Sequence, residues 1–388
     1  MASQAASRWK PYHEYKNTNF KWLTVIPDEW GIVSLKRRMS TLQSGNRDGN
    51  FKEYADGFAF SIGGEHIQWD GTLDLTNERY ITGDFYKMLR TGKINENDIL
   101  LVKDGATIGK TAYVSNMPMS KMAVNEHVFI IRPDRATHPR FLYYLICSEQ
   151  GQMQISLSKR GAAQPGLKSS FIDNTVLTFP QLDTQIIIAD YLDKVIENID
   201  SQISLLKEHI LLMKEKRSAL ITQAVTKGLN SNVSYRGIQS PWIESIPENW
   251  SNLRIKQIVS TKVTDGPHVT PVQVDEGVPF LSATAVDNGR LNMNKMWGYI
   301  SREDHELYCR KCLPQLEDIF MVKSGATTGS IAFVDFEDEF SVWSPLALIR
   351  CNRNKMHPRF VFYSLQSDYL QKAISQTWSK GTQENIAM

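Results

Sequence analysis

The chain repeats itself in register over most of a domain's length. Tyr15 to Ser40 (YKNTNFKWLTVIPDEWGIVSLKRRMS) returns as Tyr235 to Ser260 (YRGIQSPWIESIPENWSNLRIKQIVS), so that Trp22 matches Trp242, Pro27 matches Pro247 and Trp30 matches Trp250 at an offset of 220 residues. The run DILLVKDGATIGKTAYV from Asp98 returns in the same register as DIFMVKSGATTGSIAFV from Asp318, and HPRF at His138 returns at His357, one residue out of step. A unit this long is a duplicated domain, not a solenoid repeat of a few tens of residues. Whatever one copy folds into, the other must also be able to fold into, and two similar domains imply two similar sites.

At 388 residues the chain has room for two or three domains with cores of their own. Charged residues are 22% and aromatics 10%, a globular rather than a disordered balance. The formal charge of +2 permits nucleic-acid binding through a local basic groove without demanding it. No apolar run approaches the ~18 residues that span a bilayer, and the start MASQAASRWKPYHEY lacks the apolar core of a secretion signal. Four cysteines make no disulfide framework, so a cytoplasmic protein without membrane association is expected.

Each copy opens with a Trp-(Leu/Ile)-x-x-Ile-Pro-x-x-Trp segment, which reads as an irregular aromatic anchor before a short strand. Short apolar runs broken by Gly, Asn and Asp follow, the rhythm of strands and tight turns. ILLVKDGATIGKTAYV predicts strand, glycine turn, strand, and HPRFLYYLICSEQGQMQISLS predicts one helix starting after its proline. The fold class expected is α+β: two similar mixed domains, each around a largely antiparallel sheet, separated by a long coiled-coil helix. The boundaries expected are 1–180, 181–230 and 231–388.

The middle segment is of a different kind. From Asp183 to about Lys227 there is neither proline nor glycine, and Gly228 follows as a stop. Leu192, Ile196, Ile199, Ile203, Leu206, Ile210, Met213, Arg217, Leu220 and Ala224 alternate in steps of four and three, a seven-residue apolar repeat with one arginine in its seam. The helix would be on the order of 65 Å long. Either it packs in a bundle or it is a spacer rod between the two domains, and the second is the preferred reading.

Several motifs fail on inspection. GATIGKT at Gly105 resembles a phosphate-binding loop, but only three residues separate Gly105 from Gly109, and Ser330 stands in the second copy where Lys110 stands in the first. His305, Cys309 and Cys312 are spaced like part of a zinc site, but the first copy has Phe85, Leu89 and Gly92 there, and the nearest further cysteine is Cys351. There is no Pro-Pro motif of amino-group methyltransferases, no G-x-S-x-G, no H-E-x-x-H and no acidic nuclease cluster. No catalytic residue is assigned.

What recurs is cations, hydroxyls and amides on glycine turns. The turn from Lys103 to Thr107 (KDGAT), followed by Lys110, is matched by Lys323 to Thr327 (KSGAT). Lys159, Arg160 and Gln164 (KRGAAQ) are matched by Lys380 and Gln383 (KGTQ). Thr264, His268 and Thr270 (TDGPHVT) are matched near Ser44 and Arg47 (SGNR). Lys and Arg position proteins on phosphates, while Arg, Gln and Asn read base edges. Any one such loop is ordinarily a solvated turn; their recurrence in both copies makes them candidate DNA contacts.

Together, the W-x-x-x-I-P-x-x-W openings, the G-A-T-x-G turns, the HPRF helices, KRGAAQPGL (Lys159 to Leu167) and FPQLDTQIIIADYLDKVIENIDSQISLLKEHILLMKEKRSALI resemble the specificity subunit of type I restriction–modification systems. The resemblance implies that each domain reads one half of a bipartite target in double-stranded DNA, and that two long antiparallel helices set the gap. It implies two modification subunits carrying S-adenosylmethionine chemistry, restriction subunits using ATP and Mg, and no catalytic residue or cofactor in this chain. Two alternatives stay open: the recognition portion of a fused restriction–modification enzyme, and a bivalent scaffold. The chain departs from the family pattern after Ile386, where a second spacer helix should begin. The Leu192–Ala224 seam is therefore expected to lack a partner within the chain and to promote self-association.

Overall fold

A computed structural model describes residues 12–20, 22–47, 58–161, 165–376 and 386. The chain divides into two compact units, Met1–Gln202 and Ile203–Met388.

The first unit opens with a hairpin of β1 (Tyr15–Phe20) and β2 (Leu23–Pro27). The expected irregular anchor is thus largely strand here. In β1, exposed and half-buried residues alternate with the period of two that a strand imposes, and Pro27 ends β2, where a missing N–H is tolerated. β3 (Gly31–Ser34), β4 (Met39–Ser44), β5 (Ala59–Ile62) and β6 (Tyr80–Ile81) lead to α1 (Gly83–Met88), and β7 (Ile99–Val102), β8 (Thr111–Tyr113), β9 (Met122–Val124) and β10 (Val128–Pro133) follow. The main sheet is antiparallel in the order β4-β10-β7-β8; a smaller one runs β6-β5-β9, with β5 and β9 parallel.

Both faces of the main sheet are buried, which is why ILLV is apolar without alternation. Ile99, Leu101, Phe129 and Ile131 face α2 (Pro139–Cys147), packing with Phe141, Leu142 and Ile146. Leu100, Val102, Val128 and Ile130 face the smaller sheet, packing with Phe60, Ile62, Met122 and Val124.

The single helix expected from HPRF onward is two, α2 and α3 (Glu149–Ser158), divided at Ser148. The Ser148 hydroxyl accepts from Gly151 N–H, starting a new helix, and a Cβ on Gly151 would lie 2.3 Å from the Leu145 carbonyl oxygen. Periodicity alone could not show that corner. After α3 come β11 (Lys159–Arg160), β12 (Gly166–Leu167), α4 (Phe171–Asn174) and β13 (Val176–Phe179); β11 pairs with β12, and β13 pairs antiparallel with β3.

α5 spans Leu182–Lys227, 46 residues, on the order of 70 Å of helix. Gly228, at φ 77°, follows it as expected. Within the first unit, Gln185 accepts from His138 N–H at 2.9 Å and Asp193 pairs with Arg140 at 2.7 Å, also receiving the Tyr144 hydroxyl. Within the second unit, Ser218 donates to Asp368 at 2.5 Å and Asp368 N–H donates to the Thr222 hydroxyl. Ile196, Ile199, Ile203, Leu206, Ile210, Met213 and Leu220 of the seam are exposed, and Leu192 is half-buried.

The second unit continues with β14 (Tyr235–Gly237), β15 (Ser245–Pro247), α6 (Ile255–Ile258), β16 (Thr264–Asp265), β17 (Val278–Leu281), β18 (Val286–Asp287), β19 (Arg290–Leu291), β20 (Gly298–Ile300), α7 (Arg302–Cys309), β21 (Ile319–Val322), β22 (Ile331–Phe333), β23 (Ser341–Val342), β24 (Leu346–Ile349), α8 (Pro358–Gln366) and α9 (Asp368–Gln376). The frame of the first unit returns: β16-β24-β21-β22 matches β4-β10-β7-β8, and β20-β17-β23 matches β6-β5-β9. The β18–β19 hairpin extends the main sheet to six strands. Its Asn288–Gly289 tip has positive φ at both residues, which suits Asn-Gly. One element does not return: Ser251–Arg254, the counterpart of β3, is not strand and has no paired strand among the described residues.

Candidate nucleic-acid interface

In both units a strand of the main sheet runs into a glycine turn, and this turn positions the first group of expected contacts. Gly105 has φ 89° and Gly325 φ 109°, and a Cβ on either would meet nothing within 4 Å. These two glycines serve turn geometry and leave the backbone open. Gly109, at φ 102°, serves turn geometry as well, and a Cβ there would in addition meet the end of the Gln152 side chain at 2.6 Å.

The lysines at the turns are engaged. Lys103 Nζ lies 3.4 Å from Asp104 and 5.2 Å from the Phe129 ring centre, with its side chain 21% exposed. Its backbone donates to the His127 carbonyl and accepts from Leu167 N–H. Lys323 is 13% exposed and 2.7 Å from Asp265, and its carbonyl accepts from Ile386 N–H at 2.8 Å. Leu167 and Ile386 thus hold equivalent places, as the match of QPGL with QENI predicts. Lys110 is buried. These three cations are poorly placed for phosphate.

Around Lys103 the structure gathers residues scattered in sequence. The His127 ring is 3.3 Å from Asp104 and 3.5 Å from Glu126, and Arg47 is 3.8 Å from Glu126. Asp104 bridges to Gly166, bringing the Lys159–Arg160 strand beside the turn. Arg160 is exposed, Lys159, Ser44 and Thr107 are half-buried, and Gln164, Lys380 and Gln383 lie outside the described residues.

The second unit answers with a different charge arrangement. Asp265 is fully buried and pairs with Lys323, with Lys311 and, at 3.2 Å, with His268. Burial alone would raise its pKa, but hydrogen bonds and charge from Lys311 and Lys323 hold it below the usual carboxylate value. A Cβ on the next residue, Gly266, would lie 1.9 Å from the Val342 carbonyl oxygen, and Pro267 accepts from Ser344 N–H at 3.1 Å, so the loop leaves the sheet on a fixed base. Thr264 is half-buried on β16, while His268, Val269, Thr270 and Val272 are displayed beyond it and Thr327 is exposed on the nearby turn.

The ion pairs that hold the strands in place lie outside the candidate DNA contacts. Arg132 donates to both oxygens of Asp98, at 2.6 and 2.9 Å, and to the Lys93 carbonyl. Arg350 does the same with Asp318, at 2.8 and 2.7 Å, and with the Leu313 carbonyl. Both aspartates are buried. The signal was available: each repeat begins its strand with Asp-Ile, and each carries an arginine at the end of the partner strand.

The zinc-like spacing resolves into ordinary packing. His305 lies 2.9 Å from the Ser341 hydroxyl and 3.0 Å from Glu339, and burial pushes the Cys312 thiol up to about 12 and the Cys351 thiol up to about 11. Among the described residues, no three His, Cys, Asp or Glu side chains gather to hold a metal ion. None of the described helices is long and apolar enough to cross a membrane.

Residues 64–208 match the family described as the type I restriction modification DNA specificity domain. The chain is 20% identical to the type I restriction enzyme MjaVIII specificity subunit of Methanocaldococcus jannaschii, over 93% of this chain and 81% of that one. It is 23% identical to the type I restriction enzyme EcoBI specificity subunit of Escherichia coli, over 95% and 74%. In fold it is similar to a chain from a structural study of complex assembly and conformational transition in the type I R-M system (TM-score 0.61, 17% identity, 93% of this chain and 83% of that one). It is also similar to the HsdS subunit of Thermoanaerobacter tengcongensis (TM-score 0.50, 16% identity, 93% and 85%).

Proposed function

We propose that the chain is a specificity subunit of a type I restriction–modification system, with a DNA-recognition role and no catalysis of its own, and that it reads a bipartite duplex target, one half with each unit. The observation that carries this reading is the recurrence, in both units, of an open glycine turn beside a cluster of cations on the same strand frame. Arg47, Arg160 and Thr107 in the first unit, and His268, Thr270 and Thr327 in the second, are the residues proposed to meet DNA. Lys103 and Lys323 instead hold the turns in shape.

In this reading the parts are a first recognition domain (1–180), a spacer (181–230) that fixes the gap between half-sites, and a second recognition domain (231–388). Two modification subunits would supply S-adenosylmethionine chemistry, and restriction subunits would supply ATP- and Mg-dependent steps, in the cytoplasm. The methylation pattern of the host genome is the decisive test: a split motif, methylated in each half, is expected, and a continuous motif would overturn the reading. In gel shifts of the assembled complex, His268→Ala with Thr270→Ala should weaken binding through one half-site only. Equal loss on both halves would remove these residues from the contact set.

A further inference from the structure

The opening Trp22 is explained by neither the glycine-turn clusters nor the spacer helix, although it lies in the motif that defines each repeat. It is 38% exposed and lines a cavity of about 250 Å³ in the first unit together with Arg160, Lys168, Ser158, Ser170 and Asn174. Arg160 stands opposite Gly166 in the β11–β12 pair, and Lys168 follows directly after β12, so the pair brings both cations to the cavity wall. Among the described residues, no carboxylate lies within ion-pair distance of either cation; the nearby Asp173 is taken by Lys36 at 2.7 Å. The floor is rigid, because Gln154 exchanges two hydrogen bonds with the Val176 backbone, at 2.7 and 2.9 Å.

We infer that this cavity seats one backbone phosphate of duplex DNA. Arg160 and Lys168 would neutralise it, the Ser170 hydroxyl and the Asn174 amide would donate to its oxygens, and the indole of Trp22 would cover the adjoining sugar. The contact carries no sequence information and fixes the register of the first unit on its half-site. Among the described residues of the second unit, no lysine or arginine lines the cavity at the matching tryptophan. There Trp242 lines a cavity of about 260 Å³ with Ile238, Ile246 and Leu253, an apolar surrounding unsuited to an anion. The inference rests on the DNA-reading proposal above.

The test is the salt dependence of binding to two unrelated duplexes by the purified chain, alone and with its modification subunits. Each neutralised phosphate steepens the plot of log affinity against log salt by about 0.9. Lys168→Gln and Arg160→Gln should each lower the slope on both duplexes, and the double variant should lower it by about 0.9 in all. Trp22→Ala should weaken binding with the slope unchanged, and circular dichroism should show the variants folded. Unchanged slopes in both charge variants, beside a steep wild-type slope, overturn the phosphate site and leave the DNA reading standing. A wild-type chain with no salt-dependent DNA binding in either form overturns both. Binding of inorganic phosphate that needs Lys168, without any change in the DNA slope, reassigns the cavity to free phosphate and also overturns the inference.

Discussion

In the first unit a serine, Ser44, ends the edge strand, and an aspartate, Asp104, stands on the glycine turn. In the second the two are exchanged: Asp265 ends the strand and Ser324 stands on the turn. The frame is unchanged, yet the exchange alters what each unit presents. Asp104 stays near the surface, shared with His127, whereas Asp265 is buried beneath Lys311 and Lys323. A second difference lies along the repeat's third strand. In the first unit β13 covers β3 and Asp193 holds Arg140. In the second, Ser251–Arg254 is unpaired among the described residues, and Arg359 is exposed over the Phe333 ring. A duplicated frame can therefore keep its buried framework and still vary the electrostatics and the covering of its outer face.

The largest effects should fall on what the two units share. Asp98→Ala and Asp318→Ala each strand a half-buried arginine and should destabilise their own unit by about 3 kcal/mol in denaturant unfolding followed by hydrogen exchange. Losses that differ several-fold would break the equivalence of the two frames. The exchanged carboxylate should give unequal losses. Asp265→Asn is expected to cost the second unit about 2 kcal/mol, discounted for the exposure of Lys311, and Asp104→Asn to cost the first less than about 0.5 kcal/mol.

Acid should act on the second unit through the same carboxylate. A carboxylate whose folded pKa lies below its ordinary value of 3.8 contributes stability above that value and loses it as pH falls through the folded pKa. The second unit should therefore weaken below about pH 4. Asp265→Asn should lack that component, and an unchanged acid limb in the variant would remove Asp265 as its cause.

Smaller effects test the outer face. Arg140→Ala should cost about 1 kcal/mol and Arg359→Ala about 0.5 kcal/mol or less, because only the first guanidinium loses a carboxylate. Amides of Gly31–Ser34 should exchange about tenfold or more slowly than those of Ser251–Arg254, the difference a strand ladder makes. Equal exchange would mean that the second segment is paired in solution. The exposed seam of α5 adds a test of its own: sedimentation at tens of micromolar should show self-association, relieved by Ile203→Asp with Ile210→Asp, and a strictly monomeric chain would sink that expectation.

Much of the frame was legible in the residues because it depends on local pattern. The proline-free heptads announced α5, the apolar ILLV and IFMV runs announced central strands, and the glycines at 105 and 325 announced turns with positive φ. What escaped was pairing between distant residues. No spacing showed that Ser148 would cap a second helix, and the repeated Asp-Ile and strand-end arginine acquire their meaning only once the strands are paired and Arg132 meets Asp98. Nor did any pattern show that Lys103 and Lys323, so plainly placed on turns, would be held by neighbours instead of facing solvent.

The amino-acid sequence by itself determined that there are two copies of one mixed α+β frame joined through a long amphipathic helix, since repeats and periodicities are properties of the chain alone. Only the tertiary structure decided which cations stay exposed and which are spent inside. A charge is neutralised by whatever the fold brings within a few ångströms of it, and that neighbour can stand dozens of residues away, as Asp265 does from Lys323.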